Sequence, residues 1–300
     1  MNYLITVVGP TAIGKTALSI QLANHFKAEI ISCDSRQFFK EMTIGTAVPE
    51  PEELAAATHH FIQNKSIKET YSVGHFEREA IEKLNELFTQ HNVVVMVGGS
   101  GLYVDAVLNG LDDFPNVDPK IREQLNTRLE TKGLDDLQSQ LKILDPETYD
   151  QIAIDNPHRV IRALEICIGS GQTYSSFKNK PKSPRNFTPI KIGLTAEREI
   201  IYERINRRVD IMIEKGLLKE AQELHSLKHL NALQTVGYRE LFDFFDHKIT
   251  LDFAISEIKK NSRRFAKRQL TWFKKDENTL WFDFQTEIQQ IKSTLEKLLK

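Results

Sequence analysis

Apolar residues in the first hundred positions come in short blocks separated by polar stretches of helical length. Leu4-Ile5-Thr6-Val7-Val8 is a continuous run of buried-strand type, Lys15–Phe26 reads as a helix, and Glu29–Ser32 as a second strand. Within 75–90, Phe76, Ala80, Leu84, Leu87 and Phe88 recur at helical spacing, and Val93–Val97 follows as a third strand. Strands alternating with helices in this way predict an α/β fold, a parallel sheet with helices on both faces.

From about Pro115 the pattern changes to polar helices at 119–132, 134–144, 146–152 and 157–167. A turn-rich stretch over 169–189, with Pro181, Pro184 and Pro189, closes this region. Ile190–Leu194 then reads as a strand again. Helices follow at 197–214, 217–227 and 250–273, and a short strand at 280–284 precedes a terminal helix. The expected organisation is an α/β core formed by 1–115 and 186–300, interrupted by a helical insertion at 116–185.

Composition adds limits. The 300 residues are 40% hydrophobic and 27% charged, ordinary for a globular chain, and no apolar run approaches the length of a membrane span. A cytoplasmic protein without a membrane partner is expected, and a monomer. Two cysteines, Cys33 and Cys167, make neither a disulfide framework nor a zinc cluster and read as small buried hydrophobes. The net charge of −1 promises no general affinity for nucleic acid. Its distribution differs: between Lys259 and Lys275 lie eight lysines and arginines with no acid among them. Such a run is either a solvated helix face or the footprint of an anionic partner.

Gly9-Pro10-Thr11-Ala12-Ile13-Gly14-Lys15-Thr16 fits G-x-x-x-x-G-K-[ST] and stands between a strand and a helix. Gly14 lets the backbone turn its N–H groups inward, the helix N-terminus adds its positive end, Lys15 a full charge, and the Thr16 hydroxyl a ligand for Mg²⁺. The sheet is therefore expected to be of P-loop NTPase-like type. The loop does not say which polyphosphate it holds; a diphosphate ester satisfies it as well as ATP.

Asp34 follows the second strand and should lie at the carboxyl edge of the sheet, where parallel sheets bind ligands. It is either an organiser of Mg²⁺, as in a kinase, or a general base beside a departing phosphate. Ser35 and Gln37 next to it can donate and accept, which suits a nucleobase edge better than a metal. The third strand runs into Gly98-Gly99-Ser100, where a hydrolase more often offers an acid, and Ser100 puts a hydroxyl at the next helix. A phosphate cradle, a carboxylate and a hydroxyl together describe a two-substrate transfer site.

Those segments, in that order, resemble the bacterial tRNA dimethylallyltransferase family. The phosphate loop, "DSRQ" at 34–37, "GTAVP" at 45–49, "VGGSGLY" at 97–103, "HRVIRALE" at 158–165, "QTVGYRE" at 234–240 and "SRRFAKRQLTW" at 262–272 span nearly the whole chain. Ile13, Ser100, His158 and Gln63 depart from the residues commoner in the family.

The resemblance implies transfer of a dimethylallyl group from its diphosphate to the exocyclic amine of the adenine immediately 3′ of the tRNA anticodon. Gly9 to Thr16 would hold the diphosphate, with Mg²⁺ on Thr16 and Arg207 and Arg208, the latter above all, reaching in from the 197–214 helix. Asp34 would take the amine proton, and Ser100 would hydrogen-bond Asp34 or the amine. Ser35, Arg36 and Gln37 would contact the base and its neighbours. His158, Arg159, Val160, Ile161 and Arg162 on the insertion, with Arg239, Arg263 and Arg264, would contact the anticodon stem-loop. Pairing with Glu165 is the plain alternative for the insertion arginines. Phe265, Gln269 and Trp272 would tie the back of the basic helix to the protein. The competing reading is a P-loop small-molecule kinase; a non-catalytic RNA-binding ATPase would need a hydrolysis apparatus that the sequence does not offer.

Overall fold

The computed structural model describes residues 1–180 and 183–299; Pro181 and Lys182, inside the turn-rich stretch, and Lys300 lie outside the described residues. Among the described residues, six strands form one parallel sheet: β1 (Tyr3–Val8), β2 (Ile30–Ser32), β3 (His59–His60), β4 (Val93–Val97), β5 (Thr188–Thr195) and β6 (Leu280–Asp283). Their order across the sheet is β3-β2-β4-β1-β5-β6, with every pairing parallel. The P-loop NTPase-like arrangement expected from the sequence is therefore present.

Period-two geometry explains why β1 and β4 carry apolar residues at both odd and even positions. Ile5, Val7, Val95 and Val97 face one hydrophobic cluster, whereas Leu4, Val8, Val94 and Met96 face another on the opposite side of the sheet. The first cluster is closed by the helix Lys15–Phe26, the second by Val73–Leu87 and Gly101–Asn109. A third cluster, centred on the fully buried Tyr238, joins the helices Leu217–Leu224, Tyr238–Phe245 and Leu251–Phe273.

The chain divides into two compact units, 1–109 with 185–300, and 110–184. The second unit is helical: Pro119–Lys132, Leu134–Leu144, Pro146–Gln151 and Pro157–Ser170 enclose a core of Leu125, Leu137, Leu141, Val160, Ile161 and Leu164. Pro at the first helical position, after Asp118, Asp145 or Asn156 as side-chain cap, starts three of these helices.

Several short elements of the first unit escape the periodicity. The strand β3 is two residues long, and the helices Pro51–Ala56 and Tyr238–Phe245 are less than three turns. Windows that short cannot separate the two periods.

Candidate active site

The phosphate loop leaves β1 at the centre of the sheet and bends by backbone conformations that side chains resist. Gly9 has φ +144°, and a Cβ there would come within 2.6 Å of the Leu194 carbonyl on neighbouring β5. Gly14, at φ +109°, caps the following helix. The Lys15 ammonium donates to the Pro10 carbonyl at 2.8 Å and sits beside Arg208, which reaches in from the helix Arg198–Glu214. Burial, and then Arg208, pull Lys15 down to about 8, while Asp34 holds it up. Burial lowers Arg208 as well. Two cations so crowded make a cradle that an anion would relieve.

The Ile13 side chain is buried in the core, so it is the backbone there that can meet a ligand, as expected. One expectation about the loop needs correction. The Thr11 N–H already donates to Gln269 Oε1 at 2.9 Å, while Gln269 Nε2 donates to the Gly99 carbonyl at 2.8 Å. Gln269 thereby pins the phosphate loop to the β4 loop, and a Cβ on Gly99 would overlap its amide.

Asp34 stands at the end of β2 with Oδ1 accepting the Arg36 N–H at 3.0 Å, a turn that leaves the other oxygen free to act. Ser100 does not bond Asp34. Its hydroxyl donates to Ser35 Oγ at 3.0 Å and accepts the Ser35 N–H at 3.1 Å, so it braces the turn after Asp34. Neighbouring Cys33 is fully buried and, chiefly by that burial, stays a thiol. The supposed base-gripping residues are largely committed to the protein. Arg36 Nη1 donates to the carbonyls of Asn231 and Ala232 at 3.1 and 3.0 Å. Gln37 Nε2 donates to those of Thr46 and Ala47 at 3.2 and 2.8 Å, within the "GTAVP" loop. Gln63 likewise acts as a neutral donor, to Thr43 Oγ1 at 2.7 Å and the Lys40 carbonyl at 3.2 Å. A carboxylate could do neither.

Two cavities adjoin at this edge. The larger, about 900 Å³, is lined by the phosphate loop, Arg208 and apolar side chains including Ile44, Val48 and Met212. The smaller, about 330 Å³, is lined by Ser35, Arg36, Ser100, Arg239 and Arg268. Thr11, Asp34, Arg208, Met212 and Phe265 line both. The carboxylate thus stands where a cationic cradle with an apolar annex meets a recess that carries several arginines. Thr16 lines the larger cavity. Among the described residues no group of three or more His, Cys, Asp or Glu forms a metal cage. This donor set suits an ion carried chiefly by phosphate oxygens, the usual mode for Mg²⁺.

The basic helix Leu251–Phe273 is only partly available to a partner. Lys259 pairs with Asp210 and Lys260 with Glu257, each at 2.5 Å. Arg263 donates to Asn206 Oδ1 at 2.6 Å and lies over the Tyr202 ring. Arg264 and Lys267 are exposed, and so is Arg268 above the Phe265 ring. As expected, Gln269 and Trp272 tie this helix to the protein, Trp272 by donating its Nε1–H to Asp105 Oδ2 at 2.8 Å; Phe265, 38% exposed, instead lines both cavities. Ala254, Ile258, Ala266, Gln269 and Phe273 are its buried positions.

On the insertion, Val160 and Ile161 are core residues and offer no side chain to a partner, because the helix Pro157–Ser170 turns that face inward. Arg162 pairs with Glu165 at 2.9 Å, alongside a two-pronged Arg122–Glu165 pair at 3.0 and 2.7 Å. His158 and Arg159 are exposed.

A family model described as IPP transferase matches residues 37–276. A tRNA dimethylallyltransferase of Flavobacterium johnsoniae is 64% identical over 297 residues, covering 97% of this chain and 96% of that one. The crystal structure of a full-length tRNA isopentenylpyrophosphate transferase from Bacillus halodurans superposes with a TM-score of 0.75 at 37% identity, covering 100% of this chain and 97% of that one. A eukaryotic dimethylallyltransferase crystallised acting on tRNA gives a TM-score of 0.79 at 26% identity, covering 99% of this chain and 77% of its own.

Proposed function

The chain belongs to the IPP transferase family, and we propose from that membership that it works as a tRNA dimethylallyltransferase: it moves a dimethylallyl group from dimethylallyl diphosphate to the exocyclic amine of the adenine 3′ to the anticodon. The observation that carries the reading is Asp34 on the wall shared by the two cavities. The diphosphate lies on the N–H groups of the phosphate loop against Lys15 and Arg208, and its C5 chain runs into the apolar annex. The adenine enters the recess lined by Ser35, Ser100 and Arg239. It must leave the stacked loop to do so, at a cost of a few kcal/mol.

The amine attacks the allylic carbon, the carbon–oxygen bond breaks with its electron pair on the diphosphate, and Asp34 accepts the amine proton. The proton turns acidic only as the new carbon–nitrogen bond forms, so a carboxylate suffices as base. Lys15 and Arg208 meet the charge that grows on the leaving group, the kind of preorganised electrostatic help that dominates many enzymes. Mg²⁺, with Thr16 as its one protein ligand, would add a second source of that charge stabilisation.

Dimethylallyl diphosphate with Mg²⁺ should raise the melting temperature more than ATP at equal concentration, since only a ligand of the native state stabilises it. At a hundredfold excess over its dissociation constant the gain is about 2.7 kcal/mol. A larger shift with ATP, together with no alkylated tRNA, would refute the assignment.

Among the described residues of the basic helix, Arg264 is an exposed guanidinium outside any internal pair, whereas Arg263 is held by Asn206. Arg264→Ala should therefore weaken tRNA binding and flatten its salt dependence, by roughly 0.7–0.9 in log–log slope for each phosphate the arginine neutralises. Arg263→Ala should change the slope less. An unchanged slope for Arg264→Ala would make that face plain solvated surface.

A further inference from the structure

The loop Thr43–Val48 forms part of the wall of both cavities. Ile44, Ala47 and Val48 line the larger one, and Gly45 and Thr46 line the smaller. The loop is compact, closed by Ala47 N–H to Ile44 O at 3.0 Å and Val48 N–H to Thr43 O at 3.1 Å, with Ala47 in the left-handed region at φ +49°. That conformation costs free energy for a residue with a side chain and persists only when its surroundings impose it.

The imposing group comes from far along the chain. Glu220, on the helix Leu217–Leu224, takes three consecutive N–H groups of the loop. Oε2 accepts from Thr43 at 3.1 Å and Ile44 at 2.8 Å, and Oε1 from Gly45 at 2.9 Å. The Tyr238 hydroxyl also donates to Oε1, at 2.7 Å. Successive N–H groups converging on one anion form a nest, here filled by the protein's own carboxylate. Charge-assisted bonds of this kind are about twice as strong as neutral ones. Tyr238 is fully buried and closes the other side: a Cβ on Gly45 would come within 2.5 Å of its ring.

We propose that Glu220 is a positioning residue for the transfer reaction, holding the 43–48 loop as a wall of both cavities that keeps the allylic carbon facing the amine and shuts water out. The inference rests on the transferase reading of the site. An allylic diphosphate is already reactive toward any nucleophile that reaches its carbon. With that wall loose, the carbon–oxygen bond can break with its electron pair on the diphosphate while a water oxygen bonds to the carbon and loses its proton to solvent. The products are dimethylallyl alcohol and diphosphate, with tRNA unmodified.

The test compares diphosphate released with dimethylallyl groups on an anticodon stem-loop, at saturating concentrations of both substrates. Wild type should give a ratio near one. Glu220→Ala should lower transfer on the order of 10²-fold, as a misplacement of about 1 Å does. Diphosphate release should fall less, so the ratio rises about tenfold, equivalent to about 1.4 kcal/mol of lost discrimination against water. Glu220→Gln keeps an acceptor for Thr43 and Ile44 but opposes a donor to Gly45, so it should lie between. Tyr238→Phe keeps the ring and loses one donor, and it serves if Glu220→Ala does not fold. An unchanged ratio across the folded variants, with transfer falling only in step with thermal stability, would reduce Glu220 to a structural tie. Wild type that releases no diphosphate and alkylates no tRNA would instead remove the transferase reading beneath it.

Discussion

Replacing Asp34 with Asn is expected to leave both substrates bound and to slow transfer by on the order of 10² to 10⁴, the usual contribution of a positioned proton acceptor. The geometry makes this a clean substitution. Asp34 Oδ1 accepts the Arg36 N–H, and an asparagine carbonyl can keep that bond and the turn it closes. The oxygen replaced by an amide nitrogen can no longer take a proton. One side effect is foreseeable: Asp34 helps hold the Lys15 ammonium charged, so its loss pushes Lys15 further below its already lowered value. Single-turnover transfer to an anticodon stem-loop should therefore be measured near pH 7, across a Mg²⁺ titration. A large rate defect indifferent to Mg²⁺ is the expected result. Recovery of the rate with added metal would turn Asp34 into a metal ligand and overturn its role as base.

The sheet and the phosphate loop were legible because their signals are local. A continuous apolar run followed by G-x-x-x-x-G-K-T specifies a strand, a turn and a helix with little help from the remainder. The same holds for the insertion helices, whose Asp/Asn-Pro starts mark their first turns. What could not be read was which polar atoms are free. Ser35, Arg36, Gln37 and Ser100 look in sequence like a hand open to a base. In the structure most of their donors are spent on a framework that holds the "GTAVP" loop and the 231–232 turn. Those bonds join residues between 9 and 196 positions apart, and no local pattern encodes them. Glu220 left no trace in sequence for the same reason, being one more acid on an amphipathic helix. Val160 and Ile161 failed differently. A motif reports which residues recur together, whereas the 3.6-residue period decides which of them point outward.

The second large effect belongs to Lys15, whose replacement by Ala should cost transfer on the order of 10² to 10³, comparable to removing a preorganised donor from a developing anion. Affinity for tRNA should stay nearly intact, because the ammonium is turned to the phosphate loop, bonded to the Pro10 carbonyl and lining the larger cavity alone. The pH dependence gives a sharper signature. Burial and Arg208 bring Lys15 to about 8, so in the free enzyme the ammonium is lost as pH rises through that value. Binding of a diphosphate favours the charged form and takes up the missing proton. Wild-type affinity for dimethylallyl diphosphate should thus fall from about pH 8 upward, and the fall should vanish in Lys15→Ala, which has no ammonium to lose. Arg208 provides a control: it too is lowered by burial, yet a guanidinium keeps its charge across this range, so Arg208→Ala should weaken binding while preserving a pH dependence. With Arg208 gone, its repulsion of Lys15 goes as well, and the midpoint should move upward. Calorimetric titration of dimethylallyl diphosphate between about pH 6.5 and 9.5 follows all three proteins. A pH profile that persists unchanged in Lys15→Ala, or a parallel loss of tRNA binding and turnover, would take the diphosphate out of this loop.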